Sequence, residues 1–404
     1  MSTHTFTPTR AAALKQLERF APSAGRAYQN QRNYDFGPES HNQVSKLSPY
    51  LRHRIISETE VIAAVLGQHA YPSAEKFIQE IYWRTYWKGW LEHRPGVWHD
   101  YTHHVTALQS RLTTDADLHE SYETAKQGRT GIEPFDAWIH ELTTTGYLHN
   151  HARMWFASIW IFTLELPWQL GAEFFIHHLL DGDPASNTLS WRWVAGLQTQ
   201  GKIYLATAEN LRQFAGKRFF SHGEPKGLER LAPHAAPIDA PLPPPATAPT
   251  LPDDPTSCRN SGLLLSEDDL LLETPITVAT VAAWQPQHTA NCAPAEHVTG
   301  FRRALMRDAL ERAAHTNSTV VEKTGLNDYR DVLTWARGHN LEQVIVAYPP
   351  QGHVRDTLEE LKSVLLRAGI SLAYFVREHD RRTWPHAKRG FFQLKKKIPE
   401  LLDL

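Results

Sequence analysis

Apolar positions recur at intervals of three and four through the first half of the chain. KFIQEIYWRTYWKGWL (76–91), FDAWIHELTTTGYLH (135–149) and RMWFASIWIFTLEL (153–166) each carry the spacing of a helix with one buried face. Period-two alternation is nearly absent there, so residues 9 to about 220 read as helices. Between 221 and 262 the pattern stops: ten of the 26 prolines fall in this segment, centred on PLPPPATAPTLPDDP, which predicts an extended, semi-rigid tether. Short β-branched runs follow at TVATVAAW (277–284), STVVE (318–322), EQVIVAY (342–348) and ISLAYFVR (370–377), alternating with helical stretches at 299–314, 328–338 and 353–368. Strand and helix in alternation predict a parallel sheet flanked by helices. The expected organisation is an all-α domain (1–220), a Pro-rich linker (221–262) and a smaller α/β domain (263–404).

Composition narrows the function classes. A formal net charge of −2 with pI about 6.9 gives no global field for a polyanion, so any such site must be local. Two cysteines, Cys258 and Cys292, exclude a disulfide framework, a four-thiolate zinc site and a four-cysteine iron–sulfur cluster. The N-terminus has no apolar signal core, and the most hydrophobic run, 154–168, is short and carries Glu165, so a soluble cytoplasmic protein with no membrane partner is expected. The histidines at 99, 103, 104, 177 and 178 lack a matching Cys or carboxylate triad, and no metal is expected. No Gly-rich phosphate fingerprint opens a helix in the α/β half, against a dinucleotide site there. Tryptophan is the outlier: ten of 13 lie between Trp83 and Trp193, either as a Trp-rich core or as a stacking and electron-transfer site.

Four stretches carry candidate chemistry. In DGDPASNTLSWRW (181–193), Asp183-Pro184 reads as a helix start, and steps of four run from Asp183 through Asn187 to Trp191. In TGYLHNHARMWF (145–156), Asn150, Arg153 and Met154 are helix neighbours, and Arg153 could pair with a carboxylate of the Asp181 turn. In FIQEIYWRTYW (77–87), Glu80, Trp83 and Arg84 share a face. In QVSKLSPYLRHRIIS (43–57), Ser45, Lys46 and Ser48 offer hydroxyls and a cation to a phosphate. The plainer reading of each alone is capping, core packing or an ordinary ion pair.

Taken in order, SKLSPYL, EIYWR, GRTGIEPFDAWI (128–139), TGYLHNHARMW and DGDPASNTLSWRW resemble the FAD-binding helical domain of the photolyase/cryptochrome family over roughly residues 25–220. The resemblance implies FAD bent into a U, with its phosphates near Ser45, Lys46, Leu47, Ser48 and Arg84, and Tyr28 on the phosphate side. It places the Asp181–Arg153 pair and Asp183 at the isoalloxazine and Asn187 at its N5. In relatives that split cyclobutane pyrimidine dimers, the flipped lesion lies between two Trp, matched here by Trp83 and Trp193, with Glu80 and Met154 touching the bases. Asn150 and Met154 stand where enzymes for six-four photoproducts carry His. The implied electron-transfer residues are Trp191 next to the flavin and Trp168 beyond it.

Three departures qualify the resemblance. No Trp occupies the surface end of the electron line in 108–125, although Trp98, Tyr101, Tyr122, Trp155 or Trp160 could substitute. The segment after the last motif reads AGLQTQGKIYLATAENLRQFAGKRF (195–219), unlike the family. The helical half comes first and the antenna-like α/β half second, ending in GFFQLKKKIP (390–399). No motif says whether that half holds an antenna chromophore of the folate or deazaflavin type. The expected activity is a deoxyribodipyrimidine photo-lyase acting on UV-damaged DNA. The alternative is a cryptochrome-like blue-light sensor or flavin redox protein with a protein signalling partner. Residues 1–220 hold 21 Lys and Arg against 21 Asp and Glu, no excess for a duplex, unless Arg52/Arg54, Arg84/Lys88 and Arg192 cluster at the cavity mouth.

Overall fold

The computed structural model describes residues 6–257, 259–285, 293–315, 320–321 and 325–404. Cys258 and Cys292 lie outside these residues, as do 318, 319 and 322 of the strand expected at 318–322. The chain forms two compact units, and neither is contiguous. One comprises residues 25–46 and 94–245 among those described; the other comprises 6–24, 47–93 and 246–404. Composition drew boundaries at 220 and 263, whereas two stretches of the helical half, 6–24 and 47–93, cluster with the α/β part.

Helices form where the sequence supplies starts and stops. Thr9 caps Arg10–Phe20, Ser57 and Glu60 form a reciprocal capping box at Glu58–Leu66, and Asp115 caps Ala116–Lys126. The helix Glu133–Thr145 ends at Gly146, whose φ of 70° is the left-handed conformation a glycine adopts at no steric cost. Asn150–Ser158 runs on into a π-helical turn, Ile159–Thr163, and Trp168–His178 and Pro184–Val194 follow.

The α/β part is a five-stranded parallel sheet of β1 (Ser261–Leu265), β2 (Thr280–Ala283), β3 (Val320–Val321), β4 (Gln343–Ala347) and β5 (Ser371–Phe375), in the order β3-β2-β1-β4-β5. Leu263 of β1 lies opposite Val281 and Ile345. The helices Glu296–His315, Tyr329–Gly338 and His353–Arg367 alternate with the strands, as the pattern predicted. The central strand, β1, was not anticipated. Every one of its five residues is buried, so SGLLL has neither alternation nor β-branching to mark it. A Cβ on Gly262 would come within 2.5 Å of Leu341 and 2.8 Å of Trp335, which explains a glycine in the middle of the sheet.

The proline-rich segment is irregular, as expected, but it is pinned along its length rather than free. Arg94 Nε donates to Pro244 O at 3.1 Å, and in the other unit Thr247 N donates to His93 O at 2.9 Å.

The strand order reverses at β1 and β4, and the carboxyl ends of these strands are occupied by side chains from 47–93. After β1, the turn Glu267-Asp268-Asp269 is buried and meets four arginines. Arg52 pairs with Glu267 and Asp268, and Arg302 pairs with Glu267 at 3.0 Å. Arg377 grips Asp269 in bidentate fashion at 2.7 and 2.9 Å. Arg54 joins Asp380 at 2.7 Å, Glu58 at 3.2 Å and Asp269 at 3.5 Å. After β4, Glu92 accepts from Gln351 N and from Arg355, at 2.7 and 3.0 Å. His53, fully buried, donates Nδ1–H to the Glu267 carbonyl; burial first, then Arg52 and Arg302, push its pKa down to about 3. On the helix Tyr71–Glu92, Gly89 lets Trp384 approach: a Cβ there would sit 2.8 Å from the indole.

This network corrects one sequence expectation. Arg52 and Arg54 are 2% and 3% exposed and ion-paired, so they form no basic cluster for DNA.

Removing one partner of a buried ion cluster leaves an uncompensated charge. Arg54→Met is expected to lower stability by ~3–5 kcal/mol, read from urea denaturation. Burial raises the Glu58 pKa, but Arg54, then His379 and Lys88, outweigh it and hold the carboxyl at about 2, below its ordinary 4.5. The unfolded chain therefore takes up this proton first as pH falls. The stability Glu58 contributes is complete above about 4.5 and disappears between there and about 2, measurable as a fall in the urea midpoint over that window.

Candidate functional site

Asp183 starts the helix Pro184–Val194 as predicted. Its backbone is extended, its side-chain Oδ1 accepts from Ser186 N at 2.7 Å, and Pro184 fills the first turn. One turn on, Asn187 donates Nδ2–H to Ala172 O of the preceding helix at 2.8 Å. That bond fixes the amide orientation and leaves Oδ1 as the atom presented elsewhere. Asp181, in the turn before, accepts Arg153 Nη2 at 2.9 Å, while Arg153 Nε donates to Leu148 O at 3.0 Å. The expected Arg153–Asp181 pair is therefore present. Asp181, Asp183 and Asn187 are all buried, whereas Met154 is half-buried and Asn150, at the helix start, is exposed.

The aromatic residues of this unit pack as a connected set. Trp191 meets Phe175 edge-on at 5.1 Å between centroids and Trp160 at 6.3 Å. Gly171 makes this contact possible: a Cβ there would lie 2.3 Å from Trp191 Cη2 and 2.9 Å from Trp160 Nε1. Trp160 sits in the π-helical turn and donates Nε1–H to Pro167 O at 3.0 Å. Tyr122 abuts Trp160 at 5.9 Å, and Trp168 stacks on Tyr101 at 5.6 Å. Sequence reasoning missed Gly171. A glycine inside the otherwise strong helix former WQLGAEFF was the available signal.

Residues 195–204 fold back on the motif they follow. Tyr204 N donates to Val194 O at 3.1 Å, and the Tyr204 ring lies 5.8 Å from the Trp193 ring at 31°. The Tyr204 hydroxyl reaches His151 Nε2 at 3.2 Å, and His151 stacks on Trp155 at 4.1 Å. Trp193 is half-buried, with Tyr204 as a neighbour. Of the other residues expected at the cofactor, Tyr28 is buried on Arg26–Gln31, and Ser45 and Lys46 are half-buried, Lys46 with φ of 52°.

The remaining candidates belong to the second unit. Leu47 is buried and precedes the short helix Ser48–Arg52. Glu80, Trp83 and Arg84 lie on one face of Tyr71–Glu92 and are half-buried. Trp83 stacks on Phe391 with centroids 3.7 Å apart and planes at 12°, so GFFQLKKKIP covers one of its faces. Arg84 Nη1 is buried with no hydrogen-bond partner among the described residues.

Residues 77–221 match the family model described as the FAD binding domain of DNA photolyase. Over these residues the chain is similar to the photolyase/cryptochrome family. It is 33% identical over 182 residues to the deoxyribodipyrimidine photo-lyase of Streptomyces griseus, covering 45% of this chain and 38% of that protein. It is 30% identical over 226 residues to that of Agrobacterium fabrum, covering 54% of this chain and 44% of that one. The crystal structure of a bacterial class III photolyase from Agrobacterium tumefaciens superposes with a TM-score of 0.44 at 30% identity, over 52% of this chain and 44% of that one. The chain thus spans less than half the length of the curated relatives it matches.

The cofactor of this domain type is FAD, and the residues present fit it. The ion pair, the capped carboxylate and the oriented amide of the first unit supply donors and acceptors for a heteroaromatic ring. Arg84, a cation with a buried N–H left over, suits a phosphate oxygen. No described helix is long and apolar enough to cross a membrane.

Gly171→Ala is expected to displace Trp191 or Trp160 and cost about 1–3 kcal/mol of stability by overpacking. A lowered urea midpoint with an altered near-UV circular dichroism spectrum is the expected reading; an unchanged spectrum would show that the indoles do not meet at this point.

Proposed function

We propose that this protein uses blue light to split cyclobutane pyrimidine dimers in UV-damaged DNA, with FAD held by the motif residues. The distribution of burial carries this reading. Asp181, Asp183 and Asn187, directed by similarity at a resident cofactor, are buried; Glu80, Trp83, Met154 and Trp193, directed at an exchanging lesion, stay half-exposed. The names of the curated relatives support it in addition.

Bound FAD supplies a light-absorbing one-electron donor. The chain's residues do the rest. Tyr28, Ser45, Lys46, Leu47, Ser48 and Arg84 would bind its phosphate side. Arg153, anchored twice, would hold Asp181 at the ring edge, and Asp183 is held in place by its own capping bond. Because Asn187 spends its N–H on Ala172 O, its Oδ1 would accept from a ring N–H. Trp191 and Trp168 would relay electrons inward. Trp83 and Trp193 would receive a flipped base in place of its lost stacking partners, with Glu80, Asn150 and Met154 contacting its edge.

One observation favours a second reading, a photosensor without repair. Phe391 covers one face of Trp83, and Tyr204 packs near Trp193, so the chain's own aromatics already take part of the surface a lesion would use.

The deciding experiment irradiates the reduced, FAD-loaded protein with blue light and an oligonucleotide carrying one thymine dimer. Chromatography should show restored thymines, with Glu80→Gln reducing the yield per photon. Intact dimers beside normal flavin photochemistry would exclude repair and leave the sensor. In the oxidised protein, Trp191→Phe should slow photoreduction by at least about tenfold, since it removes the indole expected nearest the flavin.

A further inference from the structure

The line of tryptophans implied by similarity reaches Trp168 and finds no tryptophan in 108–125 to continue it. A tyrosine stands there instead. Tyr101, from the helix Pro95–Leu112, stacks on Trp168 with ring centroids 5.6 Å apart and planes at 27°. Its ring is buried, and its hydroxyl donates to Glu173 Oε2 at 2.9 Å. Glu173 is also buried, and its Oε1 lies 3.1 Å from His177 Nε2, whose side chain is 22% exposed. A phenylalanine at 101 and an apolar residue at 173 would fill this space without desolvating a carboxylate. The pair therefore calls for a chemical reason. Oxidation turns a phenol hydroxyl into a strong acid, so an electron leaves a buried tyrosine readily only when a base waits at hydrogen-bond distance. Glu173 is such a base, with a histidine behind it towards solvent.

We propose that Tyr101 is the terminal electron donor of the photoreduction line, with Glu173 as its proton acceptor. The proposal rests on the flavin reading above, in which bound flavin would supply the light-driven oxidant and Trp191 and Trp168 would carry the electron to it, leaving Trp168 as the radical cation. One electron then passes from Tyr101 to Trp168. The Tyr101 O–H bond breaks and its proton moves to Glu173 Oε2. Trp168 is restored, and a neutral tyrosyl radical faces a neutral carboxylic acid. Return of the electron now requires return of the proton, which holds the hole away from the flavin. Tyr101 and Trp168 also line an open pocket of about 860 Å³, walled on one side by Pro241, Pro243 and Pro244, through which a soluble thiol or ascorbate-type reductant reaches the radical.

Trp98 lies beside Tyr101 at 5.5 Å but has no hydroxyl proton to release, and Tyr122 is a rival tyrosine. Tyr122 abuts Trp160, which meets Trp191, but among the described residues no carboxylate is hydrogen-bonded to the Tyr122 hydroxyl.

The test needs no flavin. Azidyl radicals generated by pulse radiolysis oxidise tryptophans of the apoprotein, and the tyrosyl absorption that grows as the tryptophanyl absorption decays reports transfer to tyrosine. Tyr101→Phe should abolish most of that growth and lengthen the tryptophanyl lifetime, and Trp168→Phe should do the same. Glu173→Gln retains volume and a hydrogen-bond acceptor but not the base; it should slow the growth about a hundredfold, the worth of a positioned general base, at an unchanged melting temperature. Growth that survives in Tyr101→Phe, or that is lost only in Tyr122→Phe, overturns the proposal, as does an unchanged rate in Glu173→Gln. Should Tyr101→Phe fail to fold, Glu173→Gln decides alone. A parallel blue-light pulse on the FAD-loaded protein should give the same tyrosyl signal. Absence of any flavin bleaching there counts against the flavin reading, while the apoprotein experiment still decides the role of Tyr101.

Discussion

Three consecutive carboxylates, Glu267, Asp268 and Asp269, follow the central strand β1 into a buried turn, and the α/β unit is organised by how they are neutralised. Left unpaired, each would cost several kcal/mol. Arg302 and Arg377 come from the α/β part, but Arg52 and Arg54 come from the segment before the long helix Tyr71–Glu92. Once those four cations are engaged, residues 47–93 must lie across the carboxyl ends of β1 and β4. In an open parallel sheet that is the place where a ligand ordinarily binds, where the strand order reverses. Here it is filled by the chain's own guanidinium groups and by Glu92 with Arg355 and Gln351. The same contacts tie the helix bearing Glu80, Trp83 and Arg84 to the sheet, within one compact unit.

The first unit rests on close aromatic packing rather than charge. Gly171 admits Trp191 and Trp160 to one point, and the helix Trp168–His178 supplies both the carbonyl that orients Asn187 and the carboxylate that meets Tyr101. One short helix thus positions the Asn187 amide, the contact of Trp191 with Trp160 and the carboxylate at the Tyr101 hydroxyl together. Residue 171 must be small because its neighbours on two other helices pass through the space a side chain would occupy.

Local signals were legible where chemistry is local. The Asp183 cap and the shared face of Glu80, Trp83 and Arg84 follow from spacings of three and four and from turn residues. Four of the five strands and their intervening helices followed from β-branched runs and helical periods. β1 did not, because a strand buried on both faces has no alternation, and leucine favours helix as readily as strand. Arg52 and Arg54 looked like surface cations because nothing nearby in sequence neutralises all of them. Apart from Glu58, which pairs with Arg54, their partners lie more than two hundred residues away.

By itself, then, the sequence determined the helical half, the alternating half and the motifs that resemble a FAD-binding domain. These depend on patterns within a dozen or so positions, or on motifs that survive divergence because a cofactor demands them. Only the tertiary structure decided which charges are buried, that Phe391 lies on Trp83, that Tyr204 returns to Trp193, and that Tyr101 has a base at its hydroxyl. Each of these joins positions far apart along the chain, and such pairings are fixed by packing and desolvation, which no local period records.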